Sequence, residues 1–136
     1  MKVKLPRVYI IDDDQVVLLL HKLQVKTQQL GEHLHVFSDA KVALESIISF
    51  DTEDQRILIF LDINMPEMNG WEFLDQLQDS INRADIKVII LTSSLSKSDM
   101  EKSSKFNMVI DYWEKPMASD QLIKLRKKMG DWLAGN

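Results

Sequence analysis

Cysteine is absent from this 136-residue chain, which excludes disulfides and thiol chemistry. Long apolar runs are absent too. A run such as Val16 to Leu20, which none exceeds, falls far short of the roughly 18 to 20 residues needed to span a bilayer. The opening Met1-Lys2-Val3-Lys4-Leu5-Pro6 is basic but has no apolar segment behind it, so it does not read as a secretory signal. A cytoplasmic protein is the expectation. Glycine (4) and proline (3) are sparse and form no linker, and there are no repeats or low-complexity tracts, so residues 1–136 read as one domain with no separate output domain. A strong excess of either charge is also missing: 17 basic against 21 acidic residues give a net charge of -4, which argues against a general nucleic-acid or membrane surface. The one basic cluster, Lys124, Arg126, Lys127 and Lys128, reads as the solvated face and favourable C-terminal half of a last helix.

What is present is alternation. Apolar, strand-like runs at 7–11, 34–37, 57–61, 86–91 and 109–113 alternate with five helical patterns. The first helix spans 14–29, with Val16, Val17, Leu20, Leu23 and Leu30 at helical spacing, Asp14 at its start and Gly31 as its stop. Ser38 is expected to cap the second helix, whose apolar side carries Val42, Ala43, Ile47 and Ile48. The third begins over 70–77. Ser98-Asp99-Met100-Glu101 has the spacing of a capping box for the fourth, and the last covers 118–134. Five βα units imply an α/β fold, a parallel sheet with helices on both faces. The unbroken apolar run Ile57 to Leu61 fits a strand covered on both sides.

Chemistry collects where the strands end. Val8-Tyr9-Ile10-Ile11 runs into Asp12-Asp13-Asp14. The third strand ends in Asp62 before a Pro/Asn/Gly turn, the fourth in Thr92-Ser93, and the fifth delivers Lys115-Pro116. In an open parallel sheet these carboxyl ends share the edge where ligands bind. Two like charges about 4 Å apart repel by roughly 4 kcal/mol at an effective dielectric near 20, so Asp12, Asp13 and Asp62 together call for a cation. Few, all-oxygen ligands suit Mg2+ retaining several waters, and the backbone carbonyl of Asn64 could complete the site. A carboxylate beside such a cation can act as nucleophile toward a phosphoryl group. A hydroxyl from Thr92 and the ammonium of Lys115 would then receive its oxygens.

Four segments carry a resemblance when taken together: Ile10-Ile11-Asp12-Asp13, Asp62-Ile63-Asn64-Met65-Pro66-Glu67-Met68-Asn69-Gly70, Leu91-Thr92-Ser93, and Asp111-Tyr112-Trp113-Glu114-Lys115-Pro116. In this order the chain resembles the receiver domain of two-component response regulators over essentially its whole length. The resemblance implies a flavodoxin-like, doubly wound (βα)5 sheet of order 2-1-3-4-5 and a cis peptide between Lys115 and Pro116. It implies that Asp62 is the phospho-acceptor, that Asp12 and Asp13 form the acidic pocket with Asp13 a direct Mg2+ ligand, and that Thr92, Lys115 and Tyr112 are the switch hydroxyl, phosphate-binding lysine and switch aromatic. It further implies that Asn64 and Ser94 tune the phosphoryl lifetime. The partners it implies are a sensor histidine kinase or histidine phosphotransfer protein and a downstream protein target. They bind through a face made of the fourth helix, fifth strand and last helix, and a phosphorylation-dependent homodimer through that face stays open.

There are departures. Phe106-Asn107-Met108 precedes the fifth strand where the family often has a small residue and Gly, and Asn107 is expected to adopt the left-handed conformation of a helix stop. Trp113 is bulkier than the usual aliphatic residue and is expected to reshape the binding face. His21, His33 and His35 show no metal-ligand pattern and read as surface or rim residues, while Trp71, Met65 and Met68 read as packing around the site. Two alternatives stand beside this reading. A Mg2+-dependent phosphohydrolase of the haloacid dehalogenase type would need a second acid where Asn64 stands. A phosphorylation-independent binding module would not need the full set Asp12, Asp13, Asp62, Thr92 and Lys115.

Overall fold

The computed structural model describes residues 5–94 and 96–134. Five parallel strands, β1 (Arg7–Ile11), β2 (His33–Phe37), β3 (Arg56–Asp62), β4 (Asp85–Thr92) and β5 (Val109–Glu114), form one sheet in the order β2-β1-β3-β4-β5. This is the doubly wound, flavodoxin-like order that the resemblance implies. The helices are α1 (Gln15–Gln28), α2 (Ala40–Ile48), α3 (Gly70–Ser80), α4 (Lys97–Ser103), α5 (Ser119–Met129) and a short α6 (Asp131–Ala134).

Alternation along the strands divides the core in two. From β3, Ile57, Ile59 and Leu61 join Ala43, Ile47, Phe73 and Leu77 of α2 and α3 on one side. Leu58 and Phe60 join Leu18, Val25, Leu122 and Leu125 of α1 and α5 on the other. All seven residues of β3 but the first are buried, as a central strand covered on both faces requires.

Helix ends depart from the expected residues. Asp14 caps α1 as anticipated, accepting from the Val16 and Val17 N–H groups at 2.9 and 3.2 Å. The α2 cap is Asp39, not Ser38, because its carboxylate lies nearer the first free N–H groups, those of Lys41 and Val42. Helix α4 starts earlier than the Ser98 box, because the Ser96 hydroxyl accepts from the Asp99 N–H at 3.0 Å. Asn107 is not left-handed: among the described non-glycine residues only Gln29 and Glu67 have positive φ, and α4 closes on Ser104 in the right-handed region. The expected single helix over 118–134 breaks at Gly130 (φ 43°) into α5 and α6. The Arg56 guanidinium then holds α6 by donating to the carbonyls of Asp131 and Trp132 at 3.2 and 2.9 Å.

The inward face of α1 is also different. Val16 (76% exposed), Leu19, Leu20 and Leu23 point outward, and the buried row is Leu18, His21 and Val25. The run Val16 to Leu20 is apolar all round, so its phase is set by the next inward residue, which is a histidine rather than a leucine. In α2 the same applies: Ala43 and Ile47 are buried, whereas Val42 and Ile48 are exposed. A substitution pair tests the corrected face of α1. Leu18→Ala should lower unfolding free energy by about 2–5 kcal/mol in urea titration. Val16→Ser should change it by less than about 0.5 kcal/mol.

Candidate functional site

The carboxyl edge of the sheet brings the predicted residues together. Asp12 follows β1 and is fully buried, Asp62 ends β3 at 1% exposure, and Asp13 is exposed at the rim. One carboxylate oxygen from each lies within 4.8 Å of the others. From the far side Lys115, just past β5, directs its Nζ to Asp12 Oδ2 at 3.0 Å and Asp62 Oδ2 at 3.5 Å. The peptide between Lys115 and Pro116 is cis, as the resemblance implies.

Backbone donors fix the remaining carboxylate oxygens. Asp14 N–H donates to Asp12 Oδ1 at 2.9 Å, and Asn64 N–H donates to Asp62 Oδ1 at 3.0 Å. The turn after Asp62 folds back tightly, with Gly70 N–H donating to the Ile63 carbonyl at 3.1 Å. A Cβ on Gly70 would sit 2.7 Å from Ile63 Cα, so only glycine permits that approach. Asn69 then starts α3 with a reciprocal capping box with Glu72.

Asp62 Oδ2 is buried and accepts no hydrogen bond from the described residues. Burial pushes the Asp62 pKa up to about 7; the Asn64 N–H and Lys115 pull it down, while the Asp12 and Asp13 carboxylates push it further up. Burial also depresses the Lys115 ammonium, but its contacts with Asp12 and Asp62 outweigh this and leave its pKa raised. One ammonium thus serves two buried acids. A hard divalent cation fits the deficit: the donors are all oxygen, one of them is buried and unsatisfied, and an exposed third acid stands at the opening.

Thr92 and Tyr112 lie close by in the fold but are engaged elsewhere. Thr92 ends β4, buried, and its hydroxyl donates to the Ser94 carbonyl at 2.9 Å while accepting the Ser94 N–H at 3.3 Å. Tyr112 is half-buried against the α2–α3 side of the core. Trp113, the bulky departure on β5, is buried. Strand alternation turns it inward beneath α5, beside Phe60. Trp71 stacks on Phe106 as a packing residue.

The residue missed from the sequence is His21. It was expected at the surface, yet it is fully buried, and its Nε2 accepts the Met117 N–H at 3.1 Å. The available signal was its spacing from Leu18 and Val25, three and four positions away on one helical face.

Residues 8–127 match the response regulator receiver domain profile. The chain belongs to this family. It is 26% identical over 117 residues to the cell cycle response regulator CtrA of Brucella ovis, covering 86% of this chain and 47% of that protein, so it spans about half the length of the curated relatives it matches. A two component response regulator from Cytophaga hutchinsonii superposes with a TM-score of 0.76 at 26% identity, covering 92% of this chain and 96% of that one. A CheY-like receiver domain protein from Methanospirillum hungatei shares the fold, with a TM-score of 0.73 at 24% identity over 98% of this chain and 100% of that one. Receiver domains are signalling modules of phospho-accepting two-component systems, and residues 8–127 are of that class.

The raised Asp62 pKa has a consequence for the metal-free receiver. The native state holds a proton on Asp62 that the unfolded chain, with a pKa of 3.8, releases, so stability should fall as pH rises from about 4 to about 7. Asp62→Asn removes this penalty. In chelator at about pH 8 the variant should be more stable than wild type by on the order of 1–3 kcal/mol, with the gap closing near pH 4; denaturant titrations across pH measure it.

Proposed function

We propose that Asp62 accepts a phosphoryl group from the phosphohistidine of a sensor histidine kinase or histidine phosphotransfer protein, and that Mg2+ held by Asp12, Asp13, Asp62 and the Asn64 carbonyl is required. The observation that carries this reading is the buried Asp62 Oδ2, which lacks a hydrogen bond from the described residues and has only the 3.5 Å ion pair with Lys115, in a cluster of three carboxylates. Asp62 attacks phosphorus as the donor's P–N bond breaks and its electron pair returns to the imidazole, leaving an acyl phosphate on Asp62. A bound divalent cation offsets the repulsion between the carboxylate and the incoming phosphoryl oxygens. The Lys115 ammonium is already positioned to receive one of those oxygens.

The new group adds about -1.5 to -2 charge and three acceptor oxygens. The Thr92 hydroxyl then leaves Ser94 for a phosphoryl oxygen, releasing the β4–α4 loop from its present bonds. Lys115 N–H donates to the Thr92 carbonyl at 2.7 Å, so the two groups that would grip the phosphoryl are joined through the backbone. Tyr112 turns inward behind Thr92, and the changed α4–β5–α5 face binds a downstream protein. A homodimer through this face is the other use of the same change. The exposed row Val16, Leu19, Leu20 and Leu23 on α1, which starts beside Asp13, is the surface we assign to the donor protein. A cytoplasmic location accompanies that partner set.

The test is intact-mass spectrometry of wild type and Asp62→Asn after incubation with acetyl phosphate, with and without Mg2+. One phosphoryl group that requires both Asp62 and Mg2+ is the expected result. A phosphoryl group on Asp62→Asn, or none on wild type when beryllofluoride also fails to bind, would overturn the reading.

A further inference from the structure

The imidazole of His21 sits in the apolar layer between the sheet and α1, where a leucine or valine would pack without loss of polar solvation. Its neighbours along the buried row are Leu18 and Val25. Among the described residues its Nδ1 has no partner, and the polar contact that accounts for a histidine at this position is Nε2 accepting the Met117 N–H. That donor has a particular place in the chain. Lys115 N–H is used on the Thr92 carbonyl, Pro116 has no N–H, and Met117 therefore carries the next backbone donor after the lysine. The segment bearing Lys115 is pinned on one side by β4 and on the other by His21.

Helix α1 also reaches the other half of the ion pair. Asp14, the α1 cap, donates its N–H to Asp12 Oδ1, and His21 follows seven residues later, about two helical turns on and on the same face. One rigid helix therefore fixes the Asp12 carboxylate at its start and the chain beyond Lys115 two turns along. The 3.0 Å contact between Lys115 Nζ and Asp12 Oδ2 closes the loop.

We propose that His21 is a positioning residue for phosphoryl acceptance, holding the Lys115 segment through the Met117 N–H so that the ammonium faces Asp12 and Asp62. The proposal rests on the reading of Asp62 as acceptor. Burial keeps the ring below its usual pKa, with Asp12 opposing and Lys115 reinforcing the effect, so the neutral ring that can accept at Nε2 is the form this site favours. His21 is thus a fixed strut and not a switch at neutral pH.

Three variants separate positioning from simple core filling. His21→Gln can place its side-chain oxygen near the position of Nε2; His21→Asn is too short, and His21→Leu fills space without an acceptor. Labelling of Asp62 by acetyl phosphate with Mg2+ should slow by about tenfold or more in the Asn and Leu variants and stay within about threefold of wild type in His21→Gln. In a Lys115→Ala background the three variants should label alike, because the group they position is gone. Equal labelling of wild type and His21→Asn, or an undiminished difference without Lys115, would overturn the proposal. If His21→Leu does not fold, the Gln and Asn pair decides alone. Two nitrogen NMR readouts stand apart from phosphorylation: His21 Nε2 should resonate as an unprotonated acceptor, and the Lys115 ammonium signal should move in His21→Asn but not in His21→Gln. A protonated Nε2, or a Lys115 signal indifferent to both variants, would refute the role of His21 even if wild type takes no phosphoryl group, an outcome that would count against Asp62 as acceptor instead.

Discussion

Two buried carboxylates share one ammonium at the carboxyl edge of this sheet, and the rest of the site follows from that imbalance. Asp12 and Asp62 are both removed from water, while Lys115 pairs more closely with Asp12, at 3.0 Å, than with Asp62, at 3.5 Å. The less well served acid is the one whose proton is held up to about pH 7 and whose second oxygen has the longer ion pair and no hydrogen bond from the described residues. A buried charge left without a full partner is costly, so the site gains from anything positive that enters. In a receiver domain this is useful: the acid that would be the nucleophile is the one least satisfied at rest.

The architecture holds that imbalance in place. Parallel strands set Asp12, Asp62 and Thr92 at one edge in fixed register, with Ile11 opposite Leu61 and Asp62 opposite Leu91. The helices lock the loops: Asp14 ties α1 to Asp12, Asn69 and Gly70 tie α3 to the turn after Asp62, and His21 ties α1 to the chain beyond Lys115. The parts expected to move are those with alternative bonds within reach. The Thr92 hydroxyl rests on Ser94, and Tyr112 is only half-buried.

Strand positions and the acidic edge were legible in the sequence because they depend on contiguous signals: an apolar run, then a carboxylate, then a turn. The sheet order came through the resemblance carried by Asp12-Asp13, Asp62, Thr92 and Lys115-Pro116 together, since no local pattern encodes which strands are neighbours. Several misreadings share one physical origin, which is that more than one residue could satisfy the same local rule. Ser38 and Asp39 could both cap α2, Ser96 and Ser98 could both cap α4, and an all-apolar Val16 to Leu20 fits more than one helical phase. Only tertiary packing chooses among them. His21 was lost for the same reason, because the polar residue marking the inward face of α1 looks like a surface residue until its partner, 96 positions away, is known.

The most direct test of the central claim is a carbon-13 NMR titration of the Asp62 side-chain carboxyl, with and without Mg2+. A midpoint near 7 in the metal-free protein, falling by more than about one unit at saturating Mg2+, is the predicted result. A midpoint close to the ordinary 3.8, unmoved by Mg2+, would contradict the account, because Asp62 would then be neither strained by burial nor relieved by a cation.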